Sequence, residues 1–256
     1  MNRRQAIASC CSALGAVVLA RVEAHSQILP SGAGRGGTGH SSDKGKSVRG
    51  EGCYLSANEG RALAAQTPLL SRTCGVAWLD QMMPIEAVYL SRYFGVRAGF
   101  TFLVDAEGPN AFATPQQLFP NTGGTVLFGV QLLRQELSAS QFGTIALAAI
   151  MAHEWGHILQ FAHGIRVPGK RMELSSDFMA GWWCGMKVLA NTPVVDMQTV
   201  ARSLYAKGDY AFNNPAHHGT PEERVDLMAM GFSAAVDDRV TDSRAAFELS
   251  RESVGL

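Results

Sequence analysis

From Gln141 to Ala162 the chain carries one formally charged side chain, Glu154, in an otherwise mainly apolar run. Ser138-Ala139-Ser140-Gln141 ahead of it is a capping-box pattern, and Gly164 follows it as a helix stop. The two signals predict one strongly apolar helix ending near His163. About 14 mainly apolar residues precede His153, which suits a helix buried in a protein core better than one spanning lipid. A domain built on this chain must therefore wrap other elements around that helix.

The flanking pattern supplies those elements. Ser56-Ala57-Asn58-Glu59 is a second capping box and predicts a helix from Ala57 toward Gln66. Residues 75–94 read as helical, with Pro84 interrupting or starting a helix. Val96 to Val104 and Thr125 to Phe128 read as strands, and Asp105 to Pro120 as a loop. Further helices are expected over Arg171–Ala190, Val195–Lys207, Pro221–Met230 and Asp242–Val254. This is an α+β order, mostly helical with a small sheet packed on the N-terminal side of the apolar helix.

The rest of the chain narrows the class. Arg3-Arg4, the apolar stretch Ala6–Ala20 and Val22-Glu23-Ala24 make residues 1–24 an expected signal peptide. Export to the periplasm or the exterior follows from it, with no stable membrane span after its removal. Residues 25–52, rich in Gly and Ser, are expected to be a flexible linker, and the folded domain to cover 53–256. The formal net charge is zero, so nothing in the bulk electrostatics calls for nucleic acid or an anionic membrane surface. With no Cys-x-x-Cys pair, a thiolate metal site is not expected. In an oxidising compartment a Cys53–Cys74 bridge is the plausible pairing, with Cys184 a buried free thiol.

His153 and His157 stand four residues apart on the apolar helix, so both imidazoles leave one face and can bind a single ion. Glu154 sits about 100° around the helix from His153. From there it can approach a zinc-bound water without being a ligand, take its proton and pass it to a leaving amine. A catalytic zinc takes a third protein ligand and keeps one position open. His163 has the spacing of a third histidine, but Gln160 stands where a glycine would have to turn the chain. Glu173 lies on the next helix, with Asp177 on the same face. An antiparallel return would bring Glu173 to the ion and let Asp177 accept the outer N–H of His153.

His153-Glu154-x-x-His157 followed by Glu173-x-x-x-Asp177 resembles the gluzincin metallopeptidases, and within them the HtpX-like and bacterial neutral zinc metallopeptidase families. Pro109-Asn110-Ala111-Phe112-Ala113 resembles a segment preceding the edge strand of HtpX-like enzymes. Thr125 to Phe128 is similar to that edge strand, and His218-Gly219-Thr220-Pro221-Glu222-Glu223-Arg224 to a stretch of the neutral zinc peptidases. The resemblance implies a zincin-like domain that hydrolyses peptide bonds with Zn2+. It further implies a peptide or protein substrate held by strand addition at Asn110, Ala111, Val126 and Leu127. His218 is a candidate oxyanion stabiliser, beside His217, Tyr205 and Tyr210. Arg224 is expected to support the site by pairing with an acidic group. The alternatives are a catalytically silent zinc-containing binding or chaperone-like module, and a metallohydrolase acting on a non-peptide bond. The sequence leaves the oligomeric state open.

Overall fold

The computed structural model describes residues 55–65, 69–105, 108–141, 143–166, 169–192, 195–208 and 218–256. The expected signal peptide (1–24) and linker (25–52), together with Cys53, Tyr210 and His217, lie outside the described residues. The described chain is α+β and mostly helical, with one four-stranded sheet. Among the described residues no helix is long and apolar enough to cross a membrane.

Helix α1 (Ala57–Ala65) opens with the expected capping box: Ser56 N–H donates to Glu59 Oε2 at 2.8 Å and Glu59 N–H to Ser56 Oγ at 3.2 Å. Strand β1 (Leu70–Ser71) follows, then α2 (Ala77–Phe94). Pro84 neither starts nor ends α2 but lies inside it, on an exposed face. The helix forgoes one hydrogen bond there and is fixed at its start instead, where the Asp80 carboxylate accepts from Cys74 N–H at 2.6 Å and from the Thr73 hydroxyl.

Strands β2 (Gly99–Leu103), β3 (Ala111–Thr114) and β4 (Thr125–Gly129) complete a sheet of order β1-β2-β4-β3. β2 and β4 are parallel; the two outer pairings are antiparallel. Two expectations are corrected here. The Asp105–Pro120 stretch contains a strand, and Thr125–Phe128 is not an edge. β4 is paired on both sides and wholly buried, because β3 doubles back onto it. Val126 and Leu127 have no exposed surface and no free main-chain edge to offer a peptide.

Asp105 ties this sheet to the helices. Its carboxylate accepts from Gln131 N–H at 2.7 Å and Leu132 N–H at 3.0 Å, capping helix α3 (Val130–Ala139), and from Asn110 N–H at 3.2 Å. Gly129 makes room for it: a Cβ there would stand 2.1 Å from Asp105 Oδ2. Ser138 lies within α3 and bonds Arg134 O, so the capping box read at Ser138 does not form. Instead a turn at Ser140 separates α3 from α4 (Gly143–Ala162).

Helix α4 is buried almost all round, as its composition demands. Beyond it come α5 (Lys170–Leu189), α6 (Met197–Tyr205), α7 (Pro221–Val236) and α8 (Ser243–Val254). α5 and α7 touch backbone to backbone. A Cβ on Gly181 would sit 1.9 Å from Met228 O, and one on Gly231 1.9 Å from Phe178 O. Three glycines (Gly181, Gly185 and Gly231) set this crossing. Trp155, Trp182 and Trp183 fill the core around it. Cys184 is a buried thiol as expected, and Cys74 is buried and free among the described residues, while the Cys53 of the bridge expected with it lies outside them.

Candidate metal centre

The site forms where α4 and α5 meet. Between them Gly156 faces Ser176: a Cβ on Gly156 would stand 2.9 Å from Ser176 Oγ and 3.0 Å from its Cα. The residue between the two histidines must therefore be small for the next helix to come near.

That approach brings together the residues expected from the spacing. His153, His157 and Glu173 are a group of buried donors that could hold a metal ion. His153 Nε2 and His157 Nε2 are 3.1 Å apart; Glu173 Oε2 is 3.3 Å from the first and Glu173 Oε1 3.5 Å from the second. Ligand atoms about 2.0–2.1 Å from a tetrahedral ion stand roughly 3.4 Å from one another. Glu173 Oε2 is buried with no hydrogen-bond partner in the described structure. An orphaned carboxylate oxygen beside two imidazole nitrogens fits a divalent cation such as zinc.

The surroundings hold these groups in place. His153 Nδ1 donates to Asp177 Oδ1 at 2.8 Å, the expected pairing. Asp177 in turn accepts from Arg224 Nε at 2.7 Å on Oδ2 and from Arg224 Nη2 at 2.9 Å on Oδ1. Arg224 is the acid-pairing residue expected from the sequence, delivered by the tight α5–α7 crossing. Its helix begins with Thr220 as cap, a reciprocal Glu223 bond and Pro221 at the first position.

Electrostatics follow from this geometry. Burial works against ionisation of Asp177, but Arg224 and then His153 outweigh it and lower its pKa. Burial likewise opposes a charge on Glu173, yet His157 and His153 hold its carboxyl well below the usual range. For His153, burial is overcome by the Asp177 and Glu173 carboxylates, which raise its pKa.

Glu154 is fully buried and lines, with His153, Asn110, Ala111 and Arg224, a cavity of about 10 Å³, roughly room for one water. Asn110 and Ala111 thus lie beside the site as expected, but at the start of the edge strand itself rather than ahead of it. The other two expected peptide contacts, Val126 and Leu127, are in the interior of the sheet. His218 precedes Gly219, whose φ is +96°, and is not among the residues lining that cavity. The Tyr205 side chain lies outside the described residues. His163 bonds Leu159 O and packs on the Phe247 ring, away from the paired imidazoles, so it is not a ligand.

Gln160 and Ser176 were missed as site residues. In the sequence Gln160 stands out only as the absence of a turning glycine. A signal was present: a fully polar side chain at i+3 from His157 on a helix otherwise apolar, one face turn from a ligand. Gln160 Oε1 lies 2.9 Å from His157 Nδ1, and Ser176 Oγ 3.2 Å from the same nitrogen. Set against protein-family models, curated proteins and solved structures, the chain matches none of them, so the guide to this site's chemistry is its own residues.

Proposed function

We propose that this chain is a zinc-dependent endopeptidase of gluzincin type, with a zincin-like domain built on α4. The observation that carries the reading is Glu154, buried next to a His153–His157–Glu173 donor set and lining, together with His153, a one-water cavity. Zinc held there would supply Lewis acidity, bringing the pKa of a water toward neutrality. Glu154, buried next to the donor set, would serve as the base that takes a water's proton and returns it to the leaving amine. His153, kept in orientation by Asp177 and Arg224, and His157 present their Nε2 atoms to the same point.

Among the described strands, an extended peptide would approach this point along the outer edge of β3. Gly129 N–H donates to Asn110 O, so the alternating ladder turns the main-chain groups of Ala111 and Ala113 away from β4. Ala111 borders the cavity, and there strand addition would align a scissile bond. His218 remains the proposed oxyanion group.

One observation favours the alternative, a catalytically silent zinc-holding module. The ligands are 0–3% exposed, and Leu55 N–H already occupies Ala113 O at 3.0 Å on the outer edge. A substrate reaches Glu154 only if this wall moves. The two readings part on Glu154→Gln. We expect the variant to keep its zinc and lose peptide cleavage by roughly 10²–10⁴-fold. Equal cleavage by wild type and variant would end the mechanism, and stoichiometric zinc with no turnover of a broad peptide library would establish the silent module.

A further inference from the structure

We infer that Gln160 is a positioning residue: it fixes the tautomer of His157 and ties that ligand to the backbone of the carboxylate ligand. This rests on the metal-binding half of the reading above and not on catalysis. The main-chain carbonyl of Met172 can only accept. Gln160 Nε2 lies 2.9 Å from it, so the amide nitrogen of Gln160 faces Met172. The opposite orientation would set two oxygens against each other at that distance. Oε1 of Gln160 is thereby aimed at His157 Nδ1, 2.9 Å away. An amide oxygen cannot donate, so His157 Nδ1 carries the proton. Ser176 Oγ, 3.3 Å from Gln160 Nε2, accepts from that amide, and at 3.2 Å from His157 Nδ1 it shares the single Nδ1 proton with Gln160 Oε1.

The consequence falls on the other ring nitrogen. With Nδ1 protonated, Nε2 of neutral His157 carries a lone pair, and it points at His153 Nε2 and Glu173. Asp177 enforces the same tautomer on His153 with a carboxylate. Gln160 does it with a neutral amide, so no further negative charge enters a pocket that already holds Glu173. Met172 immediately precedes Glu173, so one side chain sets the second ligand's protonation pattern and the third ligand's main-chain position together. Gln160, His157, Ser176 and Glu173 are all buried, and water does not compete for these bonds.

The test reads the proton directly. In a long-range 1H–15N correlation spectrum of the metal-stripped full chain above neutral pH, neutral His157 is expected as the Nδ1–H form. A spectrum showing Nε2–H would overturn the assignment without any variant. Zinc affinity, measured by competition with a chromogenic chelator, supplies the second readout. Gln160→Met should bind zinc 10–100-fold more weakly, with an unchanged far-ultraviolet circular dichroism spectrum. Gln160→Glu keeps the acceptor toward His157 Nδ1 but turns a carboxyl oxygen on Met172 O, so it should recover only part of that affinity. If it binds as weakly as the Met variant, the loss belongs to the Met172 contact and the tautomer role is refuted. Absence of peptide cleavage would leave both readouts intact, whereas a wild type that takes up no zinc would sink the metal centre itself.

Discussion

Arg224→Met tests the inner support of the site. Arg224 is 1% exposed and Asp177 not at all, and the guanidinium bonds both carboxylate oxygens. Methionine fills much of the same volume but leaves Asp177 with His153 Nδ1 as its remaining strong donor. Breaking a buried pair from one side costs about 3–5 kcal/mol, because one charge stays behind uncompensated. With a urea slope of about 2.5 kcal/mol/M for a domain this size, the midpoint of the metal-stripped protein should fall by roughly 1–2 M. Removing both charges in Arg224→Met/Asp177→Asn should recover part of the loss, since Asn still accepts from His153 while no lone charge remains. The pH dependence has a definite sign. The folded pKa of Asp177 is depressed, so its contribution is present above the unfolded value of about 3.9 and lost as pH falls through the folded one. In Arg224→Met the folded pKa rises, so this contribution disappears at a higher pH than in the wild type. A midpoint shift below about 0.4 M, equivalent to roughly 1 kcal/mol, would refute the reasoning, because that is what a solvent-screened surface pair gives.

The other predictions concern close packing and the thiols. Gly156→Ala adds a methyl 2.9 Å from Ser176 Oγ and 3.0 Å from its Cα. Its gain in helix propensity, about 1 kcal/mol, should be outweighed by overpacking of about 1–3 kcal/mol. Zinc affinity should fall as α5 is pushed from α4, so a variant with unchanged affinity by chelator competition would contradict the packing. Cys74 and Cys184 are buried, and burial pushes both thiols up to about 12. Neither should react with iodoacetamide in the native protein near neutral pH, while both should react in denaturant. Native labelling of either, mapped by mass spectrometry, would contradict the packing around it.

What was legible in the sequence was local in the chain or carried by a single side-chain direction. The i,i+4 pair His153 and His157 shares a helix face whatever surrounds it. Glu173 and Asp177 share another, so one antiparallel return suffices to bring the two pairs together. Capping at Ser56 and Thr220 was equally readable, because each box closes within four residues. The sheet order was not readable. Whether Thr125–Phe128 lies at the edge depends on where Ala111–Thr114 goes, and that pairing is decided by contacts far along the chain. Ala-Phe-Ala-Thr also offers only a short and weakly alternating pattern. The α5–α7 crossing was hidden for a related reason: Gly181 and Gly231 weaken a helix by propensity and show their purpose only when the second backbone is in place.

Charge balance then bears on what the centre holds. Glu154 and Glu173 are carboxyl side chains at 0% and 3% exposure, and the Asp177–Arg224 pair beside them is internally neutral. With neutral imidazoles, an ionised Glu173 leaves the donor set with a net negative charge in a buried pocket. Desolvating such a charge costs several kcal/mol in a protein interior. A proton on His153, favoured by its raised pKa, offsets it but takes one of the lone pairs facing the shared point. A divalent cation offsets it and uses the lone pairs as they stand. A purely structural site would need only the three ligands and could carry an apolar residue at 154. A buried glutamate next to the donor set offers a base there, which is why the hydrolytic reading is proposed ahead of the silent one.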